Sequence, residues 1–253
     1  MIEFRNVSKN YGQTQALKNV SLTIKRGEIF GLIGHNGAGK STAIKSLVSI
    51  HNPSEGEIWV DGEKLDENRL AIKQKIGYVP DSPDMFLQLT ATEYWNLMAT
   101  AYDIPTDRYH EQLSALLKLF DMTDNQHGLI RSFSHGMRQK TFIIGALLSN
   151  PDIWILDEPM TGLDPQASYD LKEMMKQHAA EGNIVLFSTH VLGVAQEICN
   201  HIAILKKGEI LYDGTIEDLQ TQNENQSLET IYLKMAGRQL ESEASVVEAE
   251  GRE

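Results

Sequence analysis

The stretch that decides the fold is GHNGAGKST at residues 34–42. It matches the pattern G-x-x-x-x-G-K-[ST], follows an apolar run at residues 28–33, and precedes a predicted helix at about residues 40–49. Glycines in such a loop let backbone N–H groups surround phosphate oxygens, and the helix N-terminus adds the positive end of its dipole. Lys40 is predicted to contact the β- and γ-phosphates of ATP, and Ser41 to place its hydroxyl on Mg²⁺. The predicted nucleotide-binding residues are Gly34, Asn36, Gly37, Ala38, Gly39, Lys40, Ser41 and Thr42.

Short apolar strands alternate with helices around this loop. Further strands are predicted at residues 3–7, 20–24, 57–60, 76–79, 153–156, 184–187 and 202–205. Helices are predicted at about residues 165–180 and 192–200, and helical periodicity runs from about residue 85 to 150. In that region Tyr94, Leu97, Met98 and Ala101 are predicted to share one apolar face. The predicted fold class is α/β, with a mostly parallel P-loop NTPase core, an N-terminal antiparallel β subdomain and an inserted α-helical subdomain.

The chain is long enough for one substantial domain and short for two independent ATPase domains. We expect the domain to span residues 1–237, with the helical insertion at about residues 85–150. Residues 238–253 contain five glutamates and no aromatic residue. This composition predicts a solvated, disordered acidic tail.

Bulk composition narrows the classes of function. The formal net charge of −12 and the sequence pI near 5.1 argue against a protein that coats nucleic acid. The single cysteine, Cys199, is predicted to be a small buried hydrophobic residue. The N-terminus lacks the apolar core of a signal peptide, and no apolar run approaches the ~20 residues needed to cross a bilayer. We therefore expect a cytoplasmic chain that reaches a membrane only through a partner.

A second motif, IWILDE at residues 153–158, is an apolar strand that ends in two acids. Open α/β sheets bind ligands at the carboxyl ends of their strands, so both acids are expected beside the phosphate loop. Asp157 is predicted to hold Mg²⁺, directly or through water. Glu158 is predicted to act as the general base that polarises the attacking water.

Four further segments surround these two motifs. They are SHGMRQ at residues 134–139, GLD at 162–164, STH at 188–190, and Tyr11 near the N-terminus. Together, in this order and spacing, the motifs resemble those of the ATP-binding subunits of ABC transporters, over residues 2 to about 237. The segments resemble that family's signature sequence, D-loop, switch-histidine segment and adenine-stacking aromatic residue. P-loop kinases and GTPases lack the signature helix, so the combination is specific.

The resemblance implies a head-to-tail dimer, either a homodimer or a heterodimer of ATPase subunits. Ser134 and the N–H of Gly136 from one subunit would contact the γ-phosphate bound to the other, and Asp164 would lie at the same shared site. His190 would hydrogen-bond the γ-phosphate and steady Glu158. The implied partner is a transmembrane permease subunit, and no nucleic acid is expected.

Three positions depart from the family pattern. Asp81 stands where the loop after the strand at residues 76–79 normally begins with glutamine. It is expected to reach Mg²⁺ through water while adding negative charge near the phosphates. In the signature, His135 replaces the first glycine and Met137 replaces glutamine. None of these changes removes a group needed for phosphoryl transfer, so an active ATPase is expected.

Other functions are considered for a chain that binds ATP in this way. A soluble ATPase of translation or DNA repair would carry two ATPase units or a coiled-coil insertion, and a regulatory module would not need Glu158 and His190. The short segment at residues 228–235 resembles the exporter branch of the family, which favours export over import. Met85, Phe86 and Leu87 are equally compatible with the core of the helical insertion and with a groove for a helix of the permease.

Overall fold

The computed structural model describes residues 1–82, 84–224 and 226–235. The acidic tail predicted for residues 238–253 lies outside the described residues. Ten strands form two sheets in this part of the chain, and helices cover both faces of the larger one.

The smaller sheet is antiparallel, as the sequence predicts for the N-terminal region. Its strands run in the order β2-β1-β4-β5. They are β1 (Ile2–Tyr11), β2 (Thr14–Ile24), β4 (Glu55–Val60) and β5 (Glu63–Lys64). Alternating side chains of β1 and β2, such as Phe4 and Leu17, share a hydrophobic core with Phe30 and Ile155 of the larger sheet. The two sheets are therefore packed on one another through apolar side chains.

The larger sheet has the order β10-β9-β3-β8-β7-β6. Its strands are β3 (Ile29–Ile33), β6 (Ile76–Val79), β7 (Ile153–Asp157), β8 (Ile184–Thr189), β9 (His201–Lys206) and β10 (Glu209–Thr215). Neighbours are parallel except for β10, an antiparallel edge strand. Every residue of β3, β7 and β8 is buried, which explains why these strands read as continuous apolar runs. The predicted α/β fold is confirmed.

Nine α-helices are described. They are α1 (Lys40–Leu47), α2 (Arg69–Lys73), α3 (Ala91–Ala101), α4 (Thr106–Leu119), α5 (His135–Leu147), α6 (Pro165–Ala180), α7 (Leu192–Ile198), α8 (Ile216–Gln222) and α9 (Leu228–Met235). We call α3, α4 and α5 the helical lobe. Of the described helices, none combines the length and the apolar character that crossing a membrane requires.

The apolar face predicted for α3 is partly wrong. Tyr94 is buried, but Leu97 is 44% exposed and Ala101 is also exposed. The buried side chains of α3 are Ala91, Tyr94 and Trp95, and the indole N–H of Trp95 donates to the carbonyl of Thr141 in α5. Burial of the large Trp95 ring therefore decides which face of α3 packs inward, while Tyr94 and the partly buried Met98 of the predicted face still contact the core.

Cys199 is partly buried and packs against the core, close to Gly31 of β3. Burial raises the pKa of its thiol, so it remains protonated at neutral pH. This agrees with the prediction of a small hydrophobic residue.

Candidate functional site

The loop between β3 and α1 is shaped by close backbone packing. A Cβ at Gly34 would lie 2.6 Å from the carbonyl oxygen of Leu205 in β9. Gly39 precedes α1 with a φ of 114°, and a Cβ there would lie 2.8 Å from the carbonyl oxygen of Ala16 in β2. Only glycine fits at these two positions, and the packing fixes the N-terminus of α1 at the end of β3.

A cavity of about 540 Å³ opens over this loop. It is lined by Tyr11, Ala16, His35, Asn36, Gly37, Gly39, Lys40, Ser41, Thr42, Asp81, Glu158, Thr161 and His190. Most of the residues that the sequence singles out therefore meet at one place. They meet because the strands that carry them end at the same edge of a parallel sheet.

Lys40 is the cation at the centre of this cavity. Its side chain is 5% exposed, its Nζ donates to the carbonyl oxygen of Gly34 over 2.8 Å, and Nζ lies 3.2 Å from Oε1 of Glu158. A buried ammonium group is strongly unfavourable unless it is paired. Lys40 and Glu158 thus hold one another, and the cavity presents a positive charge beside a carboxylate.

Three residues hold Glu158 in place: Lys40, described above, His190 and Ser188. Oε2 lies 2.9 Å from Nδ1 of His190, and the backbone N–H donates to the hydroxyl of Ser188 over 3.1 Å. The φ of Glu158 is 50°, a left-handed conformation that costs a non-glycine residue about 1–3 kcal/mol. The surrounding contacts maintain this conformation, which directs the carboxylate into the cavity beside Lys40.

Asp157 lies beneath the cavity and is fully buried. Its Oδ1 accepts a hydrogen bond of 2.6 Å from Ser188, and its Oδ2 has no hydrogen-bond partner among the described residues. Burial is the main cause that raises the pKa of Asp157, and the negative charges of Asp81 and Glu158 raise it further. The hydrogen bond from Ser188 opposes that rise, and so does the nearby hydroxyl of Ser41. The carboxylate is held in place yet lacks a full set of partners.

Tyr11 ends β1 at the mouth of the cavity. Its ring is 43% exposed and makes an edge contact with the ring of His51, with centroids 5.7 Å apart. Nζ of Lys9 lies 5.2 Å from the Tyr11 ring centroid. These neighbours restrict the ring and leave part of it accessible.

The predicted signature and D-loop residues lie elsewhere: Ser134, Gly136 and Asp164 do not line this cavity. Ser134 caps α5 by accepting from the N–H of Met137 over 3.3 Å. Asp164 caps α6 and lies 2.7 Å from Nζ of Lys140. A Cβ at Gly136 would overlap the carbonyl oxygen of Gly162, so the signature packs directly on the D-loop of its own chain.

The sequence does not reveal every residue of the site. Ala16, His35 and Thr161 line the cavity although no role was predicted for them. Ser188 was assigned only to a segment, whereas its hydroxyl joins both acids at the end of β7. The missing information is the register of β7 and β8, which places Ser188 opposite Asp157.

No group of three or more His, Cys, Asp or Glu side chains in the described ranges is arranged to hold a metal alone.

The fold and the cavity define a P-loop nucleotide-binding protein with a helical insertion. A model of the ABC transporter family matches residues 17–161. The chain is 35% identical over 237 residues to the ABC-type transporter ATP-binding protein EcsA of Bacillus subtilis, covering 93% of this chain and 96% of that relative. The chain belongs to the ABC transporter family, and it is a nucleotide-binding ATPase domain.

Solved structures agree. The structure of an ATP-binding subunit of an ABC transporter superposes with a TM-score of 0.88 at 34% identity, covering 93% of this chain and 99% of that one. A dimeric, post-hydrolysis structure of the ATP-binding cassette MJ0796, bound to ADP and Pi, superposes with a TM-score of 0.77 at 28% identity. It covers 85% of this chain and 99% of that one.

Some relatives are named for export or resistance. The Nod factor export ATP-binding protein I of Cupriavidus pinatubonensis is 31% identical, over 87% of this chain and 67% of the relative. The linearmycin resistance ATP-binding protein LnrL of Bacillus subtilis is 33% identical, over 87% of this chain and 70% of the relative.

Proposed function

We propose that this chain hydrolyses ATP to drive export through a separate membrane-spanning permease. The observation that carries the proposal is the contact chain Lys40–Glu158–His190 within one cavity, with separations of 3.2 and 2.9 Å. Lys40 supplies a positive charge for the phosphates, and Glu158 supplies a carboxylate for the attacking water. His190 orients the carboxylate of Glu158.

In the proposed mechanism Lys40 and the N–H groups of the loop at residues 34–42 bind the β- and γ-phosphates. Glu158 accepts the proton of the attacking water. His190, hydrogen-bonded to Glu158, keeps that carboxylate aligned and contacts the γ-phosphate. Tyr11 offers its accessible face to adenine, and stacking of this kind contributes about 1–3 kcal/mol per base.

The residues present also fit Mg²⁺. The buried Oδ2 of Asp157 has no hydrogen-bond partner among the described residues, so this oxygen is available as a ligand for a cation. We assign the ion to the hydroxyl of Ser41, to Asp157 directly or through water, and to Asp81 through water. When bound, Mg²⁺ neutralises charge that develops on the phosphates. That role suits a site in which three carboxylates lie close together.

We also propose that a working site requires two subunits. Ser134 and Gly136 lie outside the cavity of their own chain, at the N-terminus of α5, where N–H groups favour an anion. A second ATPase subunit, identical or related, would bring these residues and Asp164 to the nucleotide. The dimeric MJ0796 cassette supports this arrangement.

Export is supported by the relatives named for Nod factor export and linearmycin resistance. The permease is expected to contact the helical lobe near Met85 and Phe86, whose side chains are 47% and 43% exposed. Leu87 is partly buried against the lobe core and contributes less. We propose that the chain acts at the cytoplasmic face of the membrane through this contact with the permease.

The Glu158→Gln variant tests the proposal. Loss of the general base should lower kcat by about 10²- to 10⁴-fold, while ATP still binds and the two subunits remain associated. Steady-state ATPase assays and light scattering with and without Mg-ATP measure both effects. If Glu158→Gln turns over ATP like the native chain, the general-base assignment is wrong.

A further inference from the structure

Arg138, in the first turn of α5, contacts two segments from different parts of the chain. Its Nη1 donates to Oδ1 of Asp84 over 3.0 Å, and its Nη2 donates to the carbonyl oxygen of Arg131 over 2.9 Å. Asp84 closely follows Asp81 of the nucleotide cavity, and Arg131 closely precedes Ser134. Arg138 therefore bridges the loop that carries Asp81 and the segment that leads into the signature.

The backbone joins the same two segments further along. The N–H of Arg131 donates to the carbonyl oxygen of Leu87 over 3.1 Å, and the N–H of Ile130 donates to that of Leu89 over 2.9 Å. On the other side, the hydroxyl of Ser82 donates to Oδ2 of Asp84 over 3.0 Å. The loop after β6 is thus attached to the residues around α5's N-terminus at Asp84, Leu87 and Leu89, and the Arg138–Asp84 contact is the one nearest to Asp81 in the chain.

The next two residues of α5 hold a different loop. Nε2 of Gln139 donates to the carbonyl oxygen of Pro159 over 3.3 Å, and Nζ of Lys140 lies 2.7 Å from Asp164. Both partners follow Glu158 in the chain. The first turns of α5 are therefore fixed to the two loops that bear the acids of the cavity, and Arg138 supplies the side-chain link to the loop of Asp81.

We propose that the Arg138–Asp84 ion pair positions Ser134 and Gly136 relative to the loop that carries Asp81. The inference rests on the proposed function, in which Ser134 and Gly136 serve the nucleotide of a second subunit. Arg138 touches no nucleotide and acts as a positioning residue. Loss of the pair leaves the phosphate loop intact, so it affects subunit association and turnover rather than the binding of ATP to one chain.

The effect should be modest, because the Asp84 side chain is 62% exposed and exposed pairs contribute little. For Arg138→Gln and Asp84→Asn we expect kcat to fall about three- to fivefold, within the range such pairs contribute. The KM for ATP should change less than about twofold. The charge-swapped chain with Asp84→Arg and Arg138→Asp should recover part of the lost kcat, because it restores the ion pair but not the hydrogen bond from Arg138 to the carbonyl oxygen of Arg131.

The experiment uses the full chain. ATPase kinetics are measured for both single variants and the charge swap, and ATP-dependent dimer formation is measured for each in a Glu158→Gln background. The control is the ion pair between Arg69, the first residue of α2, and Asp66 before that helix, with a separation of 2.7 Å and both side chains partly exposed, disrupted by Arg69→Gln and Asp66→Asn. The control variants should leave kcat and dimer formation unchanged.

Several results overturn the inference. They are single variants with native kcat and dimer formation, a charge swap as slow as the single variants, or an equal loss in the control variants. A Glu158→Gln chain that keeps Asp84 and Arg138 but stays monomeric with ATP would overturn the shared-site assignment itself. The two failures are therefore distinguishable.

Discussion

The hydroxyl of Ser188 donates to Oδ1 of Asp157 over 2.6 Å, across the pair of parallel strands that ends beneath the nucleotide cavity. The hydroxyl oxygen of Ser188 also accepts a hydrogen bond from the backbone N–H of Glu158. One serine therefore fixes the carboxylate proposed for the metal and the backbone of the proposed general base.

Replacing Ser188 with alanine should impair both acids. The lost hydrogen bond lowers the pKa of Asp157 in the native chain, so the pKa rises further in Ser188→Ala. Asp157 must be ionised to hold Mg²⁺, and the acidic limb of the pH–activity profile should move to higher pH. We expect kcat at pH 7 to fall by about tenfold or more, as for other residues that support metal ligands.

The measurement is kcat between pH 5.5 and 9 at saturating Mg-ATP. Ser21→Ala, on the antiparallel sheet, serves as the control because, in the part of the chain that the structure describes, its hydroxyl bonds with Asn6 alone, away from the cavity. An unchanged profile for Ser188→Ala would contradict a role for this hydroxyl.

Asp81 should influence the Mg²⁺ concentration that the ATPase activity requires. If it binds Mg²⁺ through water, Asp81→Asn should raise the Mg²⁺ concentration for half-maximal activity by about tenfold. Because the charge of Asp81 raises the pKa of Asp157, the same variant lowers that pKa and moves the acidic limb to lower pH. The two shifts separate the roles: a change in the pH limb with an unchanged Mg²⁺ requirement would mean that Asp81 acts on Asp157 alone.

A methyl group at Gly136 should disturb the signature. The added Cβ would overlap the carbonyl oxygen of Gly162, and overpacking of this kind costs about 1–3 kcal/mol. Gly136→Ala is therefore expected to lower the free energy of unfolding and the ATPase rate. Gly193→Ala is the control, because Gly193 lies in α7 with open space around it and alanine favours the helix by up to about 1 kcal/mol. The free energy of unfolding of both variants is measured by denaturant unfolding. A Gly136→Ala chain as stable as the Gly193→Ala chain would refute the packing argument.

His178 should make stability depend on pH. It is buried and stacks on Trp154 with ring centroids 4.0 Å apart, and burial lowers its pKa from 6.5 to about 4. The unfolded chain takes up a proton before the folded chain does. The contribution of His178 is therefore full above about pH 6.5 and is lost as the pH falls towards about 4.

The His178→Phe variant keeps a ring on Trp154 and removes the titration. Between pH 7 and 5 the native chain should lose more of its free energy of unfolding than His178→Phe does. Urea unfolding at both pH values provides the comparison. Equal losses in the two chains would show that His178 does not carry this pH dependence.

Apolar runs and end signals made much of the fold predictable. The helix α6 begins at Pro165 and ends at Ala180 as expected, since Asp164 is a capping residue and proline suits the first turn. The strand β10 was not predicted, because only its alternate residues are partly covered and its pairing with β9 decides its conformation. The prediction for the face of α3 was partly wrong because it left out Trp95, whose ring is buried in the core and whose hydrogen-bond partner, Thr141, lies far along the chain in α5.

The residues of the site likewise fall into those that the sequence predicts and those that it does not. Lys40, Ser41 and Glu158 follow from local motifs, and the structure brings them into one cavity. The hydroxyl of Ser188 and the contact of Gly136 with Gly162 depend on the register of neighbouring strands and on helix packing. Short motifs carry no record of such long-range relations.

The separation of Ser134 from the cavity of its own chain has a genetic consequence under the proposed function. A defect at Lys40 disables the site of the chain that carries it, whereas a defect at Ser134 disables the site of its neighbour. In a cell that makes native and Ser134-altered chains together, each mixed pair would lose the site built on Lys40 of the native chain and keep the site built on Lys40 of the altered chain. Complementation between a Lys40 allele and a Ser134 allele would then be confined to mixed pairs, in which one of the two composite sites contains neither lesion.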